Sequence, residues 1–541
     1  MCATSPLLAD FDLADTKAPI PVRRPKDVTV HGDRRVDDYF WFREKENPEV
    51  RSYLEQENAY TEAVLAPEKP LQAALFQEMR GRIKEDDTSA RTPFLGYLYY
   101  IRTEKDKQYA IYCRMQDTPG AKEEVLVDLN QLGKGKAYIA IGHYAVSDDG
   151  VRLAYSIDWT GYRQYEVFVL DLATKELVPQ QIGKVADLEW GAGHDVLYYV
   201  TENAAKRSDQ LHRWTLGTGR HESLYTEPDE LYNLGVVRSR DSRYLFCEAQ
   251  SKLTTEVRAL RADDATGSFQ VLLPREENHE YHANYRDGLF YFVTNKEAKN
   301  SRIVTAPESA PAQWTELIPH RPAVKVESVE LFATHMVIHE REHGLPQMEV
   351  YNFATRQSTR FALPDEVYEV SAGQNWTYRA TEYRYRYQSL ARPASVFASN
   401  FVTGERRLIK ETEVPGGFNS DNYRAERVWA KARDGTMIPL SIVYRKDLDR
   451  TKPQPLFLYG YGSYGLSMPA SFSSTRLSLL DRGLIYVIAH IRGGGELGEE
   501  WRDAGRMEKK MTTFTDFVDC GQWLVDQGWT TPQQMVTSGG S

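Results

Sequence analysis

Between Phe94 and Ile409 the chain returns, at starting points roughly 40–50 residues apart, to short β-rich runs introduced by turn residues. The starting points fall near Phe94, His143, Leu188, Val236, Tyr285, Leu331 and Ser371. Turn clusters such as Ser147-Asp148-Asp149-Gly150, Gly193-His194-Asp195, Arg240-Asp241-Ser242 and Arg286-Asp287-Gly288 precede comparable runs, among them Leu153–Ile157, Val196–Val200 and Leu289–Val293. A repeat of this length is that of one four-stranded propeller blade, and seven such units fit the zone. A pair of large β-sandwiches is the competing arrangement; the regular period favours the propeller.

The flanks have other textures. Pro48 opens an amphipathic helical stretch through Tyr60, and a second helix is predicted over Leu71–Ile83. Beyond about Asn419, a hairpin around Arg433-Asp434-Gly435 is followed by short apolar strands at Pro455–Tyr459, Leu484–His490 and Met535–Thr537. A helix over Phe514–Gln527 separates the last two. Buried strands alternating with helices indicate a mostly parallel α/β sheet. The predicted organisation is a helical arm (1–85) packing on the C-terminal domain, a propeller (86–410) and an α/β domain (411–541). At 541 residues a single core is not expected.

The balance of charge excludes some functions. With a net charge of −10, the chain lacks the basic surface that binding to nucleic-acid phosphates requires. No apolar run approaches the length of a bilayer span, and the N-terminal residues lack the layout of a secretory signal. Four dispersed cysteines (Cys2, Cys113, Cys247, Cys520) form neither a zinc pattern nor a disulfide framework. A cytoplasmic protein without membrane or nucleic-acid partners is the expectation.

Two patterns carry chemistry. Met535-Val536-Thr537 runs into Ser538-Gly539-Gly540-Ser541, the beginning of a Gly-x-Ser-x-Gly elbow in which Ser541 takes the nucleophile's place on a strained strand-to-helix turn. In α/β folds with this elbow the acid and the histidine follow the serine in chain order, so both are expected beyond residue 541. His339-Glu340-Arg341-Glu342-His343 formally satisfies HExxH, but that zinc site needs both histidines one turn apart on a helix. Here the pentapeptide lies between strand-like Met336-Val337-Ile338 and Gly344-Leu345-Pro346, and is expected in a hairpin loop at a blade edge. His490 precedes the serine and is expected to end a buried strand. Arg492-Gly493-Gly494-Gly495-Glu496 lacks the spacing of a phosphate loop and is expected to serve close backbone packing. Lys509-Lys510-Met511-Thr512-Thr513-Phe514-Thr515-Asp516-Phe517 is expected to be a solvated basic turn followed by a capped helix start.

Taken with Arg35–Arg43, Asn422–Arg427, Tyr459-Gly460-Tyr461-Gly462-Ser463-Tyr464-Gly465, Arg476–Gly483 and Ile491–Gly498, these segments resemble the prolyl oligopeptidase family of serine peptidases, and within it oligopeptidase B. The resemblance implies a seven-bladed β-propeller inserted into an α/β-hydrolase domain, here incomplete at its C-terminus. It implies no cofactor, Ser541 as nucleophile and the Tyr461 hydroxyl as one oxyanion donor. The propeller would exclude folded proteins and admit short peptides, cleaved after Arg or Lys by way of pocket acids beyond residue 541. Two aspartates that often follow the Tyr-Gly-Ser-Tyr-Gly stretch in such enzymes are replaced by Pro469 and Ser471, which removes the basis for a dibasic preference. The chain by itself is expected to be inactive. Proline-directed or dipeptidyl cleavage, a non-catalytic peptide-binding propeller and a metallopeptidase using His339 and His343 are the alternatives.

Overall fold

The computed structural model describes residues 17–180 and 182–540. Two units emerge, divided after Arg82. In the first, α1 (Pro48–Val64) begins where the Asn47 side chain accepts a hydrogen bond from the Glu49 N–H and Pro48 occupies the first turn, where no backbone donor is needed. After a short 3-10 turn, α2 (Lys69–Gly81) again starts at a proline, Pro70.

The second unit opens with the β-rich zone. Five separate four-stranded antiparallel sheets lie within residues 92–128, 233–271, 281–318, 324–360 and 369–411. Residues 140–226 form one continuous seven-stranded sheet instead. The expected seven separate blades are therefore corrected to five blades and this larger sheet. The cause is local: the strand Tyr165–Asp171 pairs with Ile182–Trp190 through Ile182↔Val167 and Val185↔Tyr165, with a bulge between. The second and third sequence repeats thus share a ladder. The sequence period counts turns, whereas pairing of outer strands depends on the path of one connection.

The repeated turns have a common chemistry. Ser147 Oγ donates to Asp149 Oδ1, which also accepts from the Val151 N–H; Ser239, Asp241 and the Arg243 N–H repeat the pattern. Each sheet buries its face against the next. Tyr244 and Phe246 pack with Tyr281 and Phe290; Tyr291 and Ile303 pack with Leu331 and Met336; Val337 and Met348 pack with Tyr383 and Tyr385. The first and last sheets meet through side chains: Trp376 packs edge-on against Phe94 at 5.7 Å, Thr92 Oγ1 donates to Gln374 Oε1 (2.6 Å), and Lys410 Nζ donates to Asp87 Oδ1 (2.5 Å).

The C-terminal part is a five-stranded mixed sheet. Strands β1 (Tyr423–Lys431) and β2 (Met437–Arg445) form the expected hairpin. Next come β3 (Leu456–Gly460), β4 (Ile485–Ala489), α3 (Met511–Asp526) and β5 (Met535–Ser538). The order is β1-β2-β4-β3-β5, with β3 parallel to both β4 and β5. Ile438, Leu440, Ile442, Leu456, Leu458, Ile485 and Val487 fill its core with Cys520 and Leu524 of α3. Strand β5 is at an edge of the sheet, and Val536 is exposed there, as are Phe514 and Val518 of α3. Propeller and sheet domain are joined by ion pairs, Lys325–Glu499 (2.7 Å) and Lys299–Asp503 (2.9 Å), and by the Arg427 guanidinium donating to Gly344 O. Among the described residues no helix is long and apolar enough to cross a membrane.

Candidate active site

Parallel strands β3 and β5 pair in register, Tyr459 opposite Ser538. Both chains therefore leave the sheet at its carboxyl end, side by side, which is where open α/β sheets bind ligands. From β3 emerges Tyr461, half-buried, one residue past the strand. From β5 emerges Ser538-Gly539-Gly540. A Cβ on Gly539 would stand 2.9 Å from the Gly460 carbonyl oxygen, so the approach of the two strand ends requires glycine there. Ser541 itself lies outside the described residues.

The segment after Tyr461 is held on its far side by the glycine-rich loop. Gly465 N donates to Gly493 O (3.0 Å), and Gly493, at φ +98°, comes so near Gly462 O that a Cβ there would lie 2.3 Å from it. Close backbone packing is thus what the Arg492–Glu496 stretch provides. Glu496 Oε1 accepts from the Met468 N–H (2.8 Å), pinning the other end of the segment. Between them, Lys510 Nζ donates to Gly462 O (2.5 Å) and Ser463 Oγ (2.6 Å). The expected solvated turn and capped helix start are corrected here: Lys509 is exposed, but Lys510 is half-buried on this loop, and as the residue preceding α3 it makes no side-chain cap to the helix. A two-lysine sequence shows no difference between them, so only packing separates their roles.

A serine, a histidine and a carboxylate do line up within the described residues, but not at this site. His490 Nε2 lies 2.7 Å from Ser441 Oγ, and His490 Nδ1 lies 3.2 Å from Glu496 Oε1. Burial pushes the His490 pKa down, and a neutral ring protonated on Nδ1 satisfies both contacts: it donates to Glu496 and accepts from the Ser441 hydroxyl. Ser441 is 0% exposed and His490 and Glu496 are 1% exposed, so no substrate reaches them. The relay is structural, tying β2 and β4 to the loop that follows Tyr461.

Beneath it, Arg492 makes a two-pronged ion pair with Asp516 of α3, Nε to Oδ2 at 2.8 Å and Nη2 to Oδ1 at 2.5 Å, and Asp516 Oδ2 also accepts from the Arg492 N–H. The remaining Arg492 nitrogen reaches Asp434 at 2.7 Å, which brings that carboxyl down to about 2. Asp516 is fully buried. Asp516→Ala leaves the arginine only the more exposed Asp434 as a counter-charge and its backbone N–H without this acceptor, and is expected to destabilise this domain by about 3 kcal/mol. Urea unfolding followed by circular dichroism measures this, and a shift below about 1 kcal/mol would refute it.

At the departures from the expected acids, Pro469 is exposed and Ser471 Oγ accepts from Gln388 Nε2 (3.2 Å) on the propeller strand Glu382–Ser389, while Gln388 Oε1 accepts from the Phe472 N–H. This stretch serves the contact between domains. The expected hairpin loop is corrected to strand for most of the pentapeptide: His339–Glu342 continue the strand His335–Glu342 in its ladder, and only His343, at φ 52°, lies in the turn. His339 is bonded to Glu330 Oε1 at 3.0 Å, and the two histidines do not share a helix face.

A family model described as the prolyl oligopeptidase N-terminal β-propeller domain matches residues 20–412, and one described as the prolyl oligopeptidase family matches residues 470–541. The chain belongs to the prolyl oligopeptidase family. The family is one of serine-type peptide hydrolases. Dipeptidyl aminopeptidase BI of Pseudoxanthomonas mexicana is 38% identical over 564 residues, an alignment covering 99% of this chain and 77% of that protein. Protease 2 of Moraxella lacunata is 31% identical, with 97% and 77% covered. Among solved structures, oligopeptidase B from Leishmania major superposes with a TM-score of 0.90 at 31% identity, over 97% of this chain and 78% of that one. Oligopeptidase B from Trypanosoma brucei with covalently bound antipain, in its closed form, gives 0.89 at 33%, over the same shares.

Proposed function

We propose that the protein hydrolyses short peptides after Arg or Lys, with Ser541 as nucleophile, Tyr461 as an oxyanion donor, and an aspartate and a histidine supplied by residues beyond 541. The observation that carries this reading is the register of β3 and β5, which delivers Tyr461 and the residues preceding Ser541 to one end of adjacent parallel strands. A nucleophile and an oxyanion donor must flank one carbonyl, and neighbouring ends of adjacent parallel strands support that reading. The likeness to oligopeptidase B over nearly the whole chain supports the basic specificity, and the net charge of −10 is compatible with cationic substrates.

A second reading, removal of dipeptides from a free N-terminus, is favoured by the 38% identical relative that bears a dipeptidyl aminopeptidase name. One panel separates them. The gene product read through to its own stop codon is assayed on N-blocked arginine, lysine and proline amides and on the same residues as free-amino dipeptide amides. Turnover of the blocked arginine and lysine amides is the expected result. Turnover confined to free-amino dipeptides replaces the first reading by the second, and cleavage after proline alone refutes both.

A further inference from the structure

Lys510 stands where helix electrostatics disfavour a cation. It immediately precedes α3, at the end where the helix's unpaired N–H groups carry partial positive charge. Among the described residues its bonds go to uncharged oxygens alone: Gly462 O, Ser463 Oγ and, at 3.2 Å, Thr513 Oγ1. Buried Thr513 is itself fixed, 2.8 Å from Arg492 O. Burial lowers the lysine's pKa, as expected for an ammonium without a countercharge. Three donors on one atom meet three oxygens, two of which belong to the residues directly after Tyr461.

We propose that Lys510 is a positioning residue for the oxyanion site, holding the Gly462–Ser463 backbone so that the Tyr461 hydroxyl is aimed at the developing negative charge. Hydrogen bonds from a charged donor are shorter and stronger than neutral ones, and here they add to the backbone contacts with the glycine loop that fix the same segment. The inference deepens the proposed function and rests on it.

Its test is a double-mutant cycle on the read-through gene product, using whichever substrate the panel selects. Lys510→Met is expected to lower kcat by about 10–100-fold with KM within about twofold of wild type, the loss typical of a charged hydrogen bond acting in the transition state. If Lys510 acts through Tyr461, adding Lys510→Met to Tyr461→Phe costs no more than about a further threefold. Losses that multiply in full, or that fall on KM alone, overturn the proposal. Ser463→Ala removes one of the three acceptors with little risk to folding and should give a smaller kcat loss; an unchanged kcat there also overturns it. Should Ser541→Ala retain activity, the peptidase reading itself fails, and should Tyr461→Phe be silent, the oxyanion assignment fails; either removes the role given to Lys510. With both behaving as expected, an additive cycle refutes Lys510 alone.

Discussion

Ser541→Ala in the read-through gene product is expected to reduce kcat by about 10⁶-fold while leaving the melting temperature unchanged. The size follows from the chemistry. Without the hydroxyl there is no acyl-enzyme, and the remaining rate over water comes from oxyanion donors and substrate binding alone. Stability should not change, because the substitution removes a single hydroxyl and leaves the pairing of β5 with β3 and the approach of Gly539 to Gly460 in place. Steady-state kinetics with a melting curve decide the matter. A loss of less than about 100-fold would place the nucleophile elsewhere. The buried Ser441 is not a substitute, since it, His490 and Glu496 are all closed off from solvent and from any substrate.

Tyr461→Phe is expected to lower kcat by about 10²–10³-fold, equivalent to about 2.7–4 kcal/mol of transition-state stabilisation, with a small change in KM. In the proposed role the hydroxyl would bond charge that exists only when the carbonyl becomes tetrahedral, so its removal should weaken the transition state more than the bound substrate. The ring remains and fills the same half-buried place, so folding should be preserved. Equal kcat for the two enzymes would withdraw the oxyanion role. A rise in KM with constant kcat would make Tyr461 a substrate-binding residue instead.

Much of the fold was legible before any coordinates. Periodicity placed α1 within a few residues, and Pro70 accounts for the slightly earlier start of α2. The hairpin at Arg433–Gly435 and the strands β3, β4 and β5 followed from apolar runs bounded by turn residues. Other features were not readable. The blade count failed at the link after Asp171, because a period cannot say whether two outer edges will pair. Lys510 was unreadable for a related reason: side by side, Lys509 and Lys510 have the same chemistry, and only the folded path of the Gly462–Ser463 segment gives one of them its oxygen partners.

The sequence by itself determined the kinds of element, their order, and the candidates proposed for the chemistry, because propensity, turn chemistry and motifs are local properties of the chain. Tertiary structure alone decided which of those residues meet. Tyr461 and Ser538 are far apart in the chain and come together only through the parallel pairing of β3 with β5. Arg492 finds Asp516, and His490 is walled off with Ser441 and Glu496, only once the sheet has packed against α3 and the glycine loops. Such contacts depend on long-range register and on the space left between backbones, which no window of sequence contains.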